Sequence, residues 1–156
     1  MAESYLHTSF LVENLEEGMQ EYARLFGIEF RPPQCSPLSD LEQFGVEETG
    51  VQLRAAYSVA GPPYYELIEA TGCGMFNAAQ GFGFHHFGLW MDDPDTLRAE
   101  LAARNIEIEG IYWSPDGDIF TIHTCPAGQN GVRFEYLNRK FEAVFAEILE
   151  TGVVPQ

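Results

Sequence analysis

Residues 5–12 read Tyr5-Leu6-His7-Thr8-Ser9-Phe10-Leu11-Val12, and residues 84–91 read Phe84-His85-His86-Phe87-Gly88-Leu89-Trp90-Met91. Both stretches alternate in polarity as strands do, because successive side chains of a strand leave opposite faces. Each is followed by a helical stretch. The first runs from about Glu16 to Phe26, with Asn14 as N-cap and Gly27 as the stop; the second runs from about Asp95 to Arg104 after Asp92-Asp93-Pro94, with Asn105 in the stop position. From His7 to Ile28 is 21 residues and from His86 to Ile106 is 20, so strand, turn, helix and stop recur at nearly one spacing.

Three strand-like runs follow each helix. They lie near 28–31, 51–58 and 63–70 in the first half and near 106–113, 118–125 and 131–138 in the second. The turn signals Gly61-Pro62-Pro63, Ser114-Pro115-Asp116-Gly117 and Pro126-Ala127-Gly128 separate them. The chain therefore reads as α+β: duplicated βαβββ modules over about 4–71 and 82–138, sharing one domain over 1–138. Residues 32–50 form a longer connection, rich in proline and polar residues. Phe141, Val144, Phe145, Ile148 and Leu149 recur at helical spacing, so 139–156 is a C-terminal helix and tail, packed across a sheet end or a subunit interface.

Composition bounds the function. An apolar share of 46 % in 156 residues supports a full core. The net charge of −16, with eight basic residues, opposes binding to nucleic acid or anionic lipid, since both rely on Lys and Arg to displace counterions. No apolar run reaches the ~20 residues of a membrane helix, and Met1-Ala2-Glu3-Ser4 does not open a signal peptide. The expected setting is the cytoplasm. Cys35, Cys73 and Cys125 are odd in number and widely spaced, which suits free thiols better than a disulfide framework.

Alternation then sorts the faces. In the first strand Leu6, Thr8, Phe10 and Val12 form the set expected under the helix, with His7 and Ser9 opposite. In 84–91, His85 falls in the apolar set with Phe87, Leu89 and Met91, and His86 and Gly88 oppose it. Glu66 and Glu135 lie on the last strand of each half, on the face away from the helix. Curling the two sheets together brings His7, Glu66, His86 and Glu135 to one centre. Two carboxylates ~4 Å apart repel by about 4 kcal/mol at an effective dielectric near 20. One divalent cation removes that cost, and imidazole with carboxylate suits Mn, Fe, Co, Ni or Zn.

The fragments Leu6-His7-Thr8, Tyr65-Glu66-Leu67, His86-Phe87-Gly88-Leu89 and Phe134-Glu135-Tyr136 resemble the four metal-ligand segments of glyoxalase I and its relatives. That is the vicinal oxygen chelate superfamily of glyoxalase, bleomycin-resistance, dioxygenase and epimerase proteins. The resemblance runs from about residue 5 to 138. It implies a cup holding the metal, a small-molecule substrate chelating it through neighbouring oxygens, Glu135 as base, Glu66 as counterpart acid or second base, and a homodimer. A metal-dependent lyase or isomerase acting by proton transfer on a small, rather hydrophobic carbonyl compound is the first expectation. An extradiol-type ring-cleavage dioxygenase and a non-catalytic binding protein for a hydrophobic ligand or antibiotic are the alternatives; Glu66 as a fourth donor weighs against the dioxygenase.

Further residues are assigned by face. Phe120 and Ile122 form the apolar set of their strand, which turns Thr121 and His123 to the cup, His123 as a partner of the metal ligands or a proton relay. Gln52 and Arg54 line the cup, Arg54 meeting a substrate carboxylate or phosphate. Met75, Phe76 and Phe82, in the segment between the halves, form an apolar wall or gate.

Overall fold

The computed structural model describes residues 5–38, 41–48, 51–71 and 74–152. Ten strands and three α-helices occur among them: β1 Tyr5–Val12, α1 Leu15–Phe26, β2 Gln34–Leu38, β3 Leu41–Gln43, β4 Val46–Glu48, β5 Val51–Tyr57, β6 Tyr64–Glu69, β7 Gly83–Met91, α2 Pro94–Ala103, β8 Ile108–Trp113, β9 Ile119–Thr124, β10 Phe134–Asn138 and α3 Glu142–Thr151. The strands form one mixed sheet in the order β2-β5-β6-β1-β7-β10-β9-β8-β3-β4. The duplication is visible in it. β1 pairs parallel with β6 and β7 parallel with β10, while β1 and β7 join the halves as an antiparallel pair.

The local signals act as the sequence suggests. Asn14 accepts a hydrogen bond from the Glu17 amide, and Gly27 closes α1 in the left-handed region. Asp93 caps α2 ahead of Pro94, and Asn105 takes a φ of 56° after it. The first half departs from expectation after α1. Residues 28–31 contribute only a bridge from Phe30 to Ser58, and the strand lies at 34–38, inside the stretch read as a connection.

That connection also supplies the β3–β4 hairpin, which pairs with β8 at the far side of the sheet. Only two residues separate Leu38 on β2 from Leu41 on β3. Three residue steps span at most about 11 Å, so the two ends of a ten-stranded sheet come within that distance. The sheet must curl into a cup.

α1 and α2 cover the convex face, α1 setting Leu15 against Ala56 and Leu67 in the first half and α2 setting Leu101 against Met91, Ile111, Ile119 and Ile122 in the second. The concave side is filled from both ends. Leu11, Leu41, Ala55, Ile68 and Tyr112 close one end around Met75 and Phe76, which sit in a 3₁₀ turn between the halves. α3 closes the other, burying Phe145, Ile148 and Leu149 against Leu6, Tyr57 and Leu137. Each such side chain contributes roughly 1.5–3 kcal/mol. Cys35 and Cys125 are free thiols, and Cys73 lies outside the described residues. No helix among the described residues is long and apolar enough to cross a membrane.

Between the two plugs, strand register lines residues up in two rows. One runs Tyr57–Glu66–Ser9–His86 across β5, β6, β1 and β7; the other runs His123–Glu135–Gly88–His7 across β9, β10, β7 and β1. In each, a glutamate and a histidine two strands apart lean toward one another over a small residue. At Gly88 smallness is obligatory, because a Cβ there would overlap the His7 imidazole. Gly88→Ala is therefore expected to lower the urea midpoint by the equivalent of about 1–3 kcal/mol. Ser9→Ala, which removes a buried hydroxyl without a hydrogen-bond partner among the described residues, should be near neutral. Equal stability of the two variants would show that His7 does not lie across Gly88.

Candidate metal centre

Four side chains end at one place. His7 Nε2 lies 3.1 Å from His86 Nε2, 3.4 Å from Glu66 Oε2 and 3.1 Å from Glu135 Oε2. His86 Nε2 lies 3.6 Å from Glu66 Oε2 and 3.3 Å from Glu135 Oε2. Ligand bonds of about 2.1 Å separate adjacent donor atoms by about 3.0 Å around an octahedral centre and about 3.4 Å around a tetrahedral one. The observed spacing of 3.1–3.6 Å matches a set arranged around one small cation. A second observation agrees: among the described residues no hydrogen-bond donor meets the buried Glu66 Oε2, a costly state for a carboxylate that nothing neutralises. His86, His123 and Glu135 also bring one ligand atom each within 4.8 Å of one another.

The charges respond to this crowding. Burial works against a charge on His7, but the carboxylates of Glu66 and Glu135 outweigh it and raise its pKa. Burial likewise opposes ionisation of Glu135, yet the neighbouring His123, His7 and His86 hold its carboxyl well below the usual range. His123 is pushed down to about 3, chiefly by burial, with Glu135 opposing and His86 and Arg133 assisting. It stays neutral, with Nε2 3.4 Å from Glu135 Oε1 and neither ring nitrogen hydrogen-bonded among the described residues. Tyr57 lies opposite Glu66 as His123 lies opposite Glu135, and burial followed by the charges of Glu66 and Glu135 drives its phenol well above 10. The sequence reading passed over Tyr57, although pairing 51–58 against 63–70 as a hairpin would have set it against Glu66.

A cavity of about 110 Å³ adjoins the cluster. Glu66 and Glu135 stand on its wall beside Tyr57, Tyr112 and Thr121; Leu53, Ala55 and Phe120 add apolar surface, and Val144, Phe145 and Ile148 of α3 cover it. The carboxylates are thus the groups that reach both the donor cluster and the space for a ligand. No Lys or Arg among the described residues lines it.

Several expected positions are corrected. Arg54 does not face the cup. Leu53, Ala55 and Tyr57 take the inner face of β5, which sends Arg54 outward to the carboxylates of Glu69 and Glu16 and leaves Gln52 exposed. Met75 and Phe76 are fully buried as a fixed plug rather than an open gate, and Phe82 is 53 % exposed. Leu6, Phe120 and His85 turn inward instead of outward. The cause is the same in each case: the register skips Leu6 between Tyr5 and His7, His85 between His86 and Phe84, and Phe120 between Thr121 and Ile119. A β-bulge puts two consecutive residues on one side and breaks the alternation.

Comparison with known proteins follows the same lines. The family model described as glyoxalase/bleomycin resistance protein/dioxygenase superfamily matches residues 6–120. No curated protein matches. Among solved structures, a hypothetical protein from Bacillus halodurans C-125 superposes with a TM-score of 0.64 at 14% identity, covering 86% of this chain and 92% of that one. A methylmalonyl-CoA epimerase variant from Streptomyces coelicolor in complex with 2-nitronate-propionyl-CoA gives 0.62 at 17%, covering 86% and 96%. Methylmalonyl-CoA epimerase from Mycobacterium tuberculosis gives 0.63 at 14%, covering 90% and 91%. At such identities these likenesses speak for the fold, but the family match extends over most of the chain and across both halves of the cup. With its paired modules and the convergence of two histidines and two glutamates between them, this chain belongs to the glyoxalase/bleomycin resistance protein/dioxygenase superfamily.

Proposed function

We propose that the protein is a metal-dependent lyase or isomerase of the glyoxalase I and epimerase type, moving a proton on a small, rather hydrophobic carbonyl compound. The observation that carries this is the double role of Glu66 and Glu135. Both belong to the donor cluster and both face the cavity. His7, Glu66, His86 and Glu135 would hold the ion. When bound, a divalent cation supplies Lewis-acid stabilisation of negative charge on a substrate oxygen.

The chain's own residues supply the rest. Glu135, held ionised by three imidazoles, is the base that removes a proton from the carbon next to the carbonyl. His123, neutral in the folded protein and 3.4 Å from Glu135 Oε1, is the group through which its proton leaves. Glu66, with the Tyr57 phenol as its hydrogen-bond partner, stands in the other row as the acid that returns a proton from the opposite side. α3 and the Met75–Phe76 plug keep water from the intermediate.

The lining of the cavity supports a substrate of low charge. An acyl-CoA, as held by the Streptomyces epimerase neighbour, carries several phosphate charges that this cavity does not meet with any cation. A smaller, less charged compound fits the lining better. The fourth donor, Glu66, also favours this reading over ring cleavage, which needs open positions for both catechol and oxygen.

Three outcomes are expected. Native protein purified without chelators should contain close to one divalent metal per chain by elemental analysis; a metal-free preparation with full activity would exclude the assignment. Glu135→Gln should slow catalysis by about 10²–10⁴-fold, read as loss of solvent-deuterium incorporation next to the carbonyl, with a much smaller change in unfolding midpoint. The third concerns acid. In metal-free protein His85, pushed down to about 2 mainly by burial, and His123, at about 3, stay neutral while their unfolded counterparts protonate near 6.5. The unfolded state then binds more protons, so stability falls as pH drops from 6.5 toward 3, and the depressed Glu135 adds to this at the acid end. His7, with a raised pKa, acts in the opposite sense, its contribution being present below 6.5 and lost as pH rises through the folded value. Urea midpoints should decline on acidification, and His123→Phe should flatten the slope. A flat profile in the native chain would contradict these charge states.

A further inference from the structure

Two buried polar groups on the cavity wall have no task in the proton-transfer reading. Thr121 is 2 % exposed, and its hydroxyl meets no hydrogen-bond partner among the described residues. Gln34 is half-buried, but its amide oxygen Oε1 is fully buried and meets none either. Both residues line the cavity beside Glu66 and Glu135. A desolvated hydroxyl or amide without a partner is unfavourable, and an apolar side chain of similar shape would serve the fold as well or better. Register turns both inward: Gln34 on β2 lies opposite Ala55, and Thr121 on β9 lies between Tyr112 and Leu137.

Their offset from the carboxylates is the same in the two halves. Thr121 is two residues along β9 from His123, which pairs with Glu135. Ala55, opposite Gln34, is two residues along β5 from Tyr57, which pairs with Glu66. Two residue steps of a strand are about 6.6 Å. The two polar groups are thus set back from the glutamate rows by one such step, in a cavity whose remaining wall is largely apolar, with Leu53, Phe120 and Phe145.

The unmet hydrogen-bonding groups select the ligand chemistry. Gln34 Oε1 only accepts, so its partner must donate, whereas the Thr121 hydroxyl both donates and accepts. A carbonyl or ether oxygen has no hydrogen to give Gln34. A carboxylate has none either, and it would add negative charge to a lining that already holds two glutamates and, among the described residues, no Lys or Arg. An ammonium would be buried next to a site that itself holds a cation, at a large desolvation cost. A hydroxyl meets every requirement, and it serves the Gln34 amide whichever way that group is turned.

We propose that Gln34 and Thr121 form a hydroxyl-recognising subsite of the cavity. The compound taken by this protein then carries, beyond its chelating oxygens and a short apolar stretch, at least one uncharged hydroxyl group. This names the substrate class of the site described above and rests on the metal reading. Gln34 and Thr121 act in specificity: they hold the far end of the compound and touch no reacting atom.

Hydroxamates, which chelate a divalent metal through two neighbouring oxygens, provide the test. Titration calorimetry measures binding of butano-, pentano- and hexanohydroxamate, and of their ω-hydroxy counterparts, to the zinc-loaded full chain. At one chain length or more the ω-hydroxy compound should bind about 10–100-fold more tightly than its parent. Thr121→Val and Gln34→Met should each reduce that advantage, and the double variant should abolish it with zinc affinity and binding of the parent compounds retained. Because neither group has a partner to lose, both variants should unfold at or above the native urea midpoint. A clear fall in midpoint for either variant would assign its polar group to the fold and overturn the proposal. Equal affinity of parent and ω-hydroxy compounds at every length, a comparison made on the native chain alone, overturns it while leaving the metal reading standing. Failure of every hydroxamate to bind in a zinc-dependent way overturns the metal reading and the subsite with it.

Discussion

Glu66 and Glu135 carry carboxylates into the interior of a curled sheet, close to each other and to two imidazoles, and the rest of the molecule is arranged to make that tolerable. Like charges at such range repel by several kcal/mol unless something of opposite sign lies between them. The chain answers by symmetry. Each half contributes one glutamate and one histidine, and each row pairs the glutamate of one half with the histidine of the other across a small residue, Ser9 or Gly88, so that long side chains close the gap of two strands from both directions. A Cβ on Gly88 alone would deny His7 its place.

The cup that holds this arrangement is also a covalent consequence. Because the chain crosses from β2 to the β3–β4 hairpin on the far edge with two residues to spare, the sheet cannot open flat. Its ends are stoppered differently. The Met75–Phe76 turn is buried and hydrogen-bonded into the site through His85. α3 is held by side-chain contacts around its ends: Arg31 to the Leu149 carbonyl, Arg139 to Asp92 and over Trp90, Lys140 to Asp118. It covers the cavity that the carboxylates share, which makes its apolar face part of the cavity wall.

Four bulges give the site its detail. Leu6, His85, Glu109 and Phe120 are all turned to the concave side by an extra residue in their strands. Leu6 seats α3, Phe120 stacks on Phe145 with planes 14° apart, and His85 and Glu109 join Arg133 in a buried polar network behind His86. Without the bulges these side chains would lie among the residues beneath α1 and α2, and a buried Glu109 would have no cation.

The repeat of strand, capped helix and strands was legible in the sequence because its causes are local: alternation, Asn14 and Asp93 as caps, Gly27 and Asn105 as stops. The convergence of His7, Glu66, His86 and Glu135 was legible too, since a duplicated pattern implies duplicated faces. What the sequence left undetermined was any position whose orientation depends on a partner strand. A bulge is a mismatch between two strands and leaves no mark in either one, so the tertiary structure alone placed His85 and Phe120. Arg54 shows the same limit from the other direction: its polarity suited the cup, but the pairing of Tyr57 with Glu66 fixed the inner face of β5 and gave Arg54 to Glu69 and Glu16. Local chemistry determined the elements and the two histidines and two glutamates that meet; register, a property of chain pairs, decided which neighbours those side chains have.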